Sequence, residues 1–107
     1  MSAIATDHDL AALAGAIARG EASARDTVAR ALARARAWQP SINAFVAIDE
    51  EGAMRRAEEA DRLRASGAAL PPLHGVPVAI KDMFDRDGRA PGCGAANTRF
   101  ISLASNR

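Results

Sequence analysis

The sequence predicts an α/β fold in which helices come first and strands follow. Three observations lead there. Residues 10–65 contain three segments whose apolar side chains recur at helical spacing, with start and stop residues around them. Two short apolar runs, in "SINAFVAID" and "LHGVPVAIKD", read as strands. The order strand, helix, strand permits a right-handed parallel crossover.

The first helix places Leu10, Leu13, Ala14 and Ile17 on one face, and Gly20 closes it. The second starts in "GEASARDTVARALARARAW". Ser23 caps it, Asp26 supports its first turn, and Ala24, Val28, Ala31, Leu32 and Ala35 form its apolar stripe. Trp38 and Pro40 are expected to end it. Ile42, Ala44, Phe45, Val46, Ala47 and Ile48 then form a nearly unbroken apolar run, the pattern of a strand buried on both faces. Asp49 or Glu50 opens a third helix with Ala53, Ala57, Ala60 and Leu63 inside. Glu51 with Arg55 and Glu58 with Arg62 are four apart, and Gly67 terminates the helix. After the rigid approach of Pro71, Pro72 and Gly75, a second strand carries Val76, Val78 and Ile80. Pro77 must lie near its start or on an edge. "DMFDRDGRAPGCGAANT" is a turn-rich loop. Residues 97–107 form a tail with no assigned element, and the whole of 1–107 reads as part of one domain.

Composition qualifies that picture. Of 107 residues, 49% are hydrophobic, but 27 are alanine. Alanine favours helix and buries little area. The core is therefore thin. Either this is a helix-rich domain of modest stability, or a larger fold supplies the other wall. The net charge of +1 suggests neither a nucleic-acid nor a membrane field. The arginines at 25, 30, 34, 36, 55, 56, 62 and 64 read as solvated helix faces among Glu51, Glu58 and Glu59. A single cysteine, Cys93, leaves no internal disulfide and no cysteine-based metal site. The first residues lack a basic leader and no apolar run approaches the ~20 residues of a membrane span. The expectation is a cytoplasmic protein with no cofactor and no metal.

One position stands apart. Thirteen of the 14 basic residues are arginine, and the lone lysine is Lys81, at the end of the second apolar run. A strand end beside a glycine-rich loop is where open sheets place ligands. Taken alone, it also fits a surface lysine whose stem lies along apolar neighbours. Arginine stays charged under ordinary conditions, whereas a desolvated lysine can lose its proton. A lysine in water titrates near about 10.4, and one serving as a base near neutrality must sit about three pH units lower, roughly 4 kcal/mol. A dry setting built from "VPVAI" is expected to supply much of that difference.

"PLHGVPVAIKD" resembles the lysine-bearing segment of the amidase signature family, which reads Pro-Leu-His-Gly, Val or Ile, Pro, three or four apolar residues, then Lys-Asp. Upstream, "GEASARDTVARALARARAWQPSINAFVAID" resembles that family's second helix, its turn and its first strand, and "AEEADRLRASG" its third helix. The likeness spans about residues 7–96.

What the resemblance implies is a mixed sheet flanked by helices, incomplete in these residues, and the hydrolysis of carboxylic amides. A serine nucleophile, a bridging serine and a lysine share the proton transfer, and backbone amides hold the oxyanion. A serine hydroxyl is a weak nucleophile until a neighbouring base takes its proton. Lys81 is the one catalytic residue carried over, as general base. Asp82 is expected to be structural, and His74 an orienting or packing residue. The family's two serines lie well downstream of its lysine in a glycine- and serine-rich segment. Ser2, Ser23, Ser41, Ser66, Ser102 and Ser105 have no such context, and "ISLASNR" lacks the glycines that let backbone approach an oxyanion. Where the family carries Gly-x-Pro-Thr-Thr-x-Gly, this chain has "DGRAPGCGAA", with Cys93 an innocent small residue in the simplest account.

Three functions follow from this reading. The first is the N-terminal portion of an amidase, acting on a small-molecule amide once complete and inactive without its serines. The second is a non-catalytic helical module that binds a partner protein, or the remainder of an amidase, through exposed apolar surface. The third is a lysine enzyme using Lys81 as a Schiff base, for which nothing else in the chain speaks. Direct contact with nucleic acid or membrane is not expected.

Overall fold

The computed structural model describes residues 9–83, and every structural statement below concerns them. The chain divides into two compact units, Met1–Pro77 and Val78–Arg107. The first holds three helices: α1 (Leu10–Ala18), α2 (Ala24–Ile42) and α3 (Glu50–Ala65).

Helix α1 begins where Asp9, in extended backbone, accepts hydrogen bonds from the amides of Ala11 and Ala12 at 3.0 and 3.2 Å. It ends in a paired turn. The Gly20 amide donates to the Ile17 carbonyl and the Glu21 amide to that of Ala16, with Gly20 at φ +76°. Gly20 thus closes the helix as its sequence position predicts. Helix α2 starts at Ser23, whose Oγ accepts from the Asp26 amide at 3.0 Å. Helix α3 starts at Asp49, whose Oδ1 accepts from the Gly52 amide at 3.0 Å, and stops at Ser66 before Gly67.

Helices α2 and α3 form an antiparallel hairpin. Arg25, at the start of α2, pairs with Glu58 late in α3 at 3.5 Å, while Arg36, late in α2, pairs with Glu50 at the start of α3. Asp61 reaches across from α3. Its two carboxylate oxygens accept the amides of Ala24 and Arg25 at 2.7 and 3.0 Å. A carboxylate at a helix N-terminus satisfies orphan donors and meets the positive end of the helix dipole. Between the two helices Ala24, Val28 and Ala57 are buried, with Leu32, Ala53, Met54 and Ala60 packed around them. Leu13, Ala16 and Ile17 are the buried face of α1. Three of these six buried apolar residues are alanine, so the helices gain little burial per residue. Leu10 and Leu63, expected inside, are 55% and 43% exposed.

Two expectations need correction. Helix α2 does not stop at Trp38 or Pro40. Pro40 lies inside it, and the helix runs on to Ile42 before Asn43 turns left-handed at φ +45°. Proline at 40 takes one amide out of the ladder, so the last turn of α2 forms with one backbone bond fewer. The Asn43 amide returns to the Gln39 carbonyl at 2.8 Å and restores the end of the ladder. The second correction concerns both strands. No strand forms among the described residues: 43–49 and 76–80 are irregular. A strand needs a partner for its backbone groups, and neither run has one there. At Phe45 the Gln39 side chain takes that role. Its Oε1 accepts the Phe45 amide at 3.0 Å, and its Nε2 donates to the Phe45 carbonyl at 2.6 Å. Val46 is 68% exposed, so the run is not buried on both faces.

Candidate active-site segment

The approach to Lys81 is built from two successive turns on the helical unit. The His74 amide donates to the Pro71 carbonyl and the Val76 amide to the Leu73 carbonyl, both at 3.1 Å. Gly75 is the third residue of the second turn, at φ +80°, the backbone sign for which a type II turn requires glycine. A side chain there would also be tightly placed. A Cβ on Gly75 would lie 3.0 Å from the Ala24 Cβ and 3.0 Å from the Ile17 Cγ2. The turn is thus seated against α1 and the start of α2.

His74 secures the same turn to α3. Its Nε2 lies 2.8 Å from the Ala60 carbonyl oxygen. A carbonyl only accepts, so Nε2 carries the hydrogen. His74 is half-buried. Ala60 neighbours Asp61, so adjacent residues of α3 hold the lysine approach and the N-terminus of α2.

In the second unit Lys81 is exposed and Asp82 half-buried. Val78 and Ile80, the side chains expected to keep Lys81 dry, are 72% and 52% exposed. The expected dry setting is therefore not formed by this run. A short apolar stretch excludes water only when a second surface covers it, and a single extended segment has two open faces. Cys93, Ser102, Ser105 and the "DGRAPGCGAA" loop lie outside the described residues. Among the described residues no three His, Cys, Asp or Glu side chains are grouped to hold a metal ion, and no helix is long and apolar enough to cross a membrane.

Sequence reasoning placed a rigid approach at Pro71, Pro72 and Gly75, where the structure has the double turn. It missed Asp61, whose carboxylate acts on amides 36 and 37 residues away and leaves no local signal. It also missed Gln39. The one available clue was a left-handed-tolerant asparagine four residues beyond an amide side chain.

Comparison with known proteins bears on this segment. The model of the Amidase family matches residues 26–100, which takes in most of α2, all of α3, the double turn and Lys81. A Glutamyl-tRNA(Gln) amidotransferase subunit of Salinispora tropica is 43% identical over 83 residues, 78% of this chain and 17% of that protein. The corresponding subunit of Thiobacillus denitrificans is 44% identical over 86 residues, covering 80% and 18%. That of Rhodopirellula baltica is 51% identical over 65 residues, covering 61% and 13%. The chain thus spans less than a fifth of the length of these relatives. No solved structure matches it. With more than half of its length, lysine segment included, matched by that one model, this chain belongs to the amidase family.

Proposed function

We propose that these residues are the lysine-bearing N-terminal part of an enzyme that breaks carboxylic amide C–N bonds, with Lys81 as general base of a Ser–Ser–Lys device. The observation that carries this is the chain's lone lysine, standing in "PLHGVPVAIKD" within the matched span. In the proposed reaction the Lys81 amine accepts a proton relayed through the bridging serine from the nucleophilic serine. That serine attacks the amide carbon, and the protonated lysine returns a proton toward the departing nitrogen. Both serines belong to a glycine- and serine-rich segment C-terminal to the residues described. The exposure of Val78 and Ile80 supports the same division of labour: the run supplies the base, and the rest of the fold supplies the wall that dries it.

The relatives compared above are all Glutamyl-tRNA(Gln) amidotransferase subunits. Their names favour an amidotransferase component, working beside other subunits, over a free-standing amidase. A binding module is the second reading. Trp38 and Ile42, four apart on α2, are each 59% exposed, an apolar pair suited to a protein contact.

The test starts from the gene. A glycine- and serine-rich segment is expected in the sequence beyond Arg107. The protein expressed with that segment, together with any partner subunits, should hydrolyse a simple amide, and Lys81→Arg should lower kcat at least a hundredfold. The 107-residue chain should show no turnover. Hydrolysis by that chain alone, lost in Lys81→Arg, would overturn the proposal, as would full activity of Lys81→Arg in the longer protein.

A further inference from the structure

We infer that His74 is a positioning residue for the lysine: it fixes the point from which the Lys81 segment leaves the helical unit. Three observations converge. The His74 ring bonds the Ala60 carbonyl of α3 at 2.8 Å. The next residue, Gly75, is seated against Ile17 of α1 and Ala24 of α2 so closely that a Cβ would meet both at 3.0 Å. The residue after that, Val76, has its amide engaged by the Leu73 carbonyl. One short turn is therefore tied to all three helices.

The consequence for chemistry follows from chain length. Lys81 lies four residues beyond Pro77, the last residue of the helical unit. Four residues span at most about 14 Å, so the place where the turn is anchored limits where the amine can reach. A proton acceptor must stand within about 3 Å of the group it serves, and a displacement of about 1 Å is costly. Cutting the His74 anchor lets the departure point wander and leaves Lys81 itself intact. Proton transfer should then suffer more than substrate binding. Because the bond uses only a donor, glutamine at position 74 can replace it, whereas alanine cannot.

The catalytic half of this inference rests on the proposed amidase function; the anchor does not. Two measurements separate them. In the 107-residue chain, hydrogen exchange by NMR should show the amides of His74 and Val76 exchanging about tenfold faster in His74→Ala. The amides of Met54 and Ala57 in α3 should be unchanged, and His74→Gln should restore protection. Unchanged exchange at His74 and Val76 would overturn the anchor. In the longer protein carrying the serine segment, His74→Ala should lower kcat about tenfold with KM within twofold, and His74→Gln should recover most of it. A loss of exchange protection with kcat unaffected, or a loss confined to KM, would overturn the positioning role. If the longer protein lacks lysine-dependent turnover, the proposed function and the positioning role fail together, and the exchange experiment alone decides whether the anchor stands.

Discussion

Ile17 and Ile80 are the same side chain in opposite circumstances. Ile17, in the helical unit, is fully buried, while Ile80, in the lysine-bearing run, is 52% exposed. Around Ile17 the backbone is satisfied locally. Helices make their own hydrogen bonds, Asp9, Ser23 and Asp49 cap them, and a hairpin of two helices encloses a small core. Around Ile80 nothing local can do this, because extended backbone finds its partners on another strand. The contrast teaches that helices can complete their own backbone bonding where an adjoining apolar run cannot.

The sharpest way to break that comparison is to truncate both isoleucines. Removing a fully buried isoleucine to alanine costs about 2–5 kcal/mol. With half the buried apolar residues already alanine, the helical unit has little margin, so Ile17→Ala should abolish the cooperative urea transition or move it to much lower denaturant. Ile80→Ala should stay within about 0.5 kcal/mol of the parent. Equal effects from the two substitutions would show that the lysine run is packed as firmly as α1, contrary to its exposure. In the longer protein proposed above, the gap between the two should close if the added residues give Ile80 a surface to bury against.

A smaller effect is expected where the helical unit is held by charge. Asp61→Ala removes both acceptors from the start of α2 and should cost about 0.5–2 kcal/mol, in the range of a lost helix cap. Asp61→Asn keeps one acceptor and should recover part of the loss. Thermal melts of the three chains give the order directly. If Asp61→Ala melts with the parent, water replaces the carboxylate and the crossing contact contributes nothing to the hairpin.

The contrast also explains what could be read from the sequence. The helices were legible because their signals are local: Ser23 three residues before Asp26, Asp49 before Gly52, Gly20 and Gly67 just past the ends. Lys81 was singled out for another reason, its singularity in an arginine-rich chain and the pattern around it, and its proposed role awaits the longer protein. The strands were predicted from apolar runs, and such runs record only that a surface is meant to be covered. They do not record by what. The end of α2 was misread because Pro40 was weighed without Asn43 and Gln39, which together let the last turn form after the proline. Asp61 and the His74 contact were beyond reach, since each depends on residues 14 or more positions apart meeting in space.

The smallest expected effect lies at the end of α1, on the surface. Arg19 Nε and Nη2 donate to the two carboxylate oxygens of Glu21 at 2.9 and 3.0 Å. That paired hydrogen bond, and then the charge of Arg19, hold the Glu21 carboxyl below its ordinary value of 4.5. A carboxyl lowered in the folded state adds stability that is present above its unfolded value. The contribution fades as pH falls through the folded one. Both side chains are exposed on the surface, so screening leaves the pair little to contribute. Glu21→Gln should therefore shift the urea midpoint slightly at pH 7 in low salt. The shift should fade as the pH falls below the ordinary carboxyl range, and also at about 1 M salt, where the screening length is about 3 Å. A shift that survives both acid and salt would mean that Glu21 acts through the turn that closes α1, whose amide bonds the Ala16 carbonyl, and not through its charge.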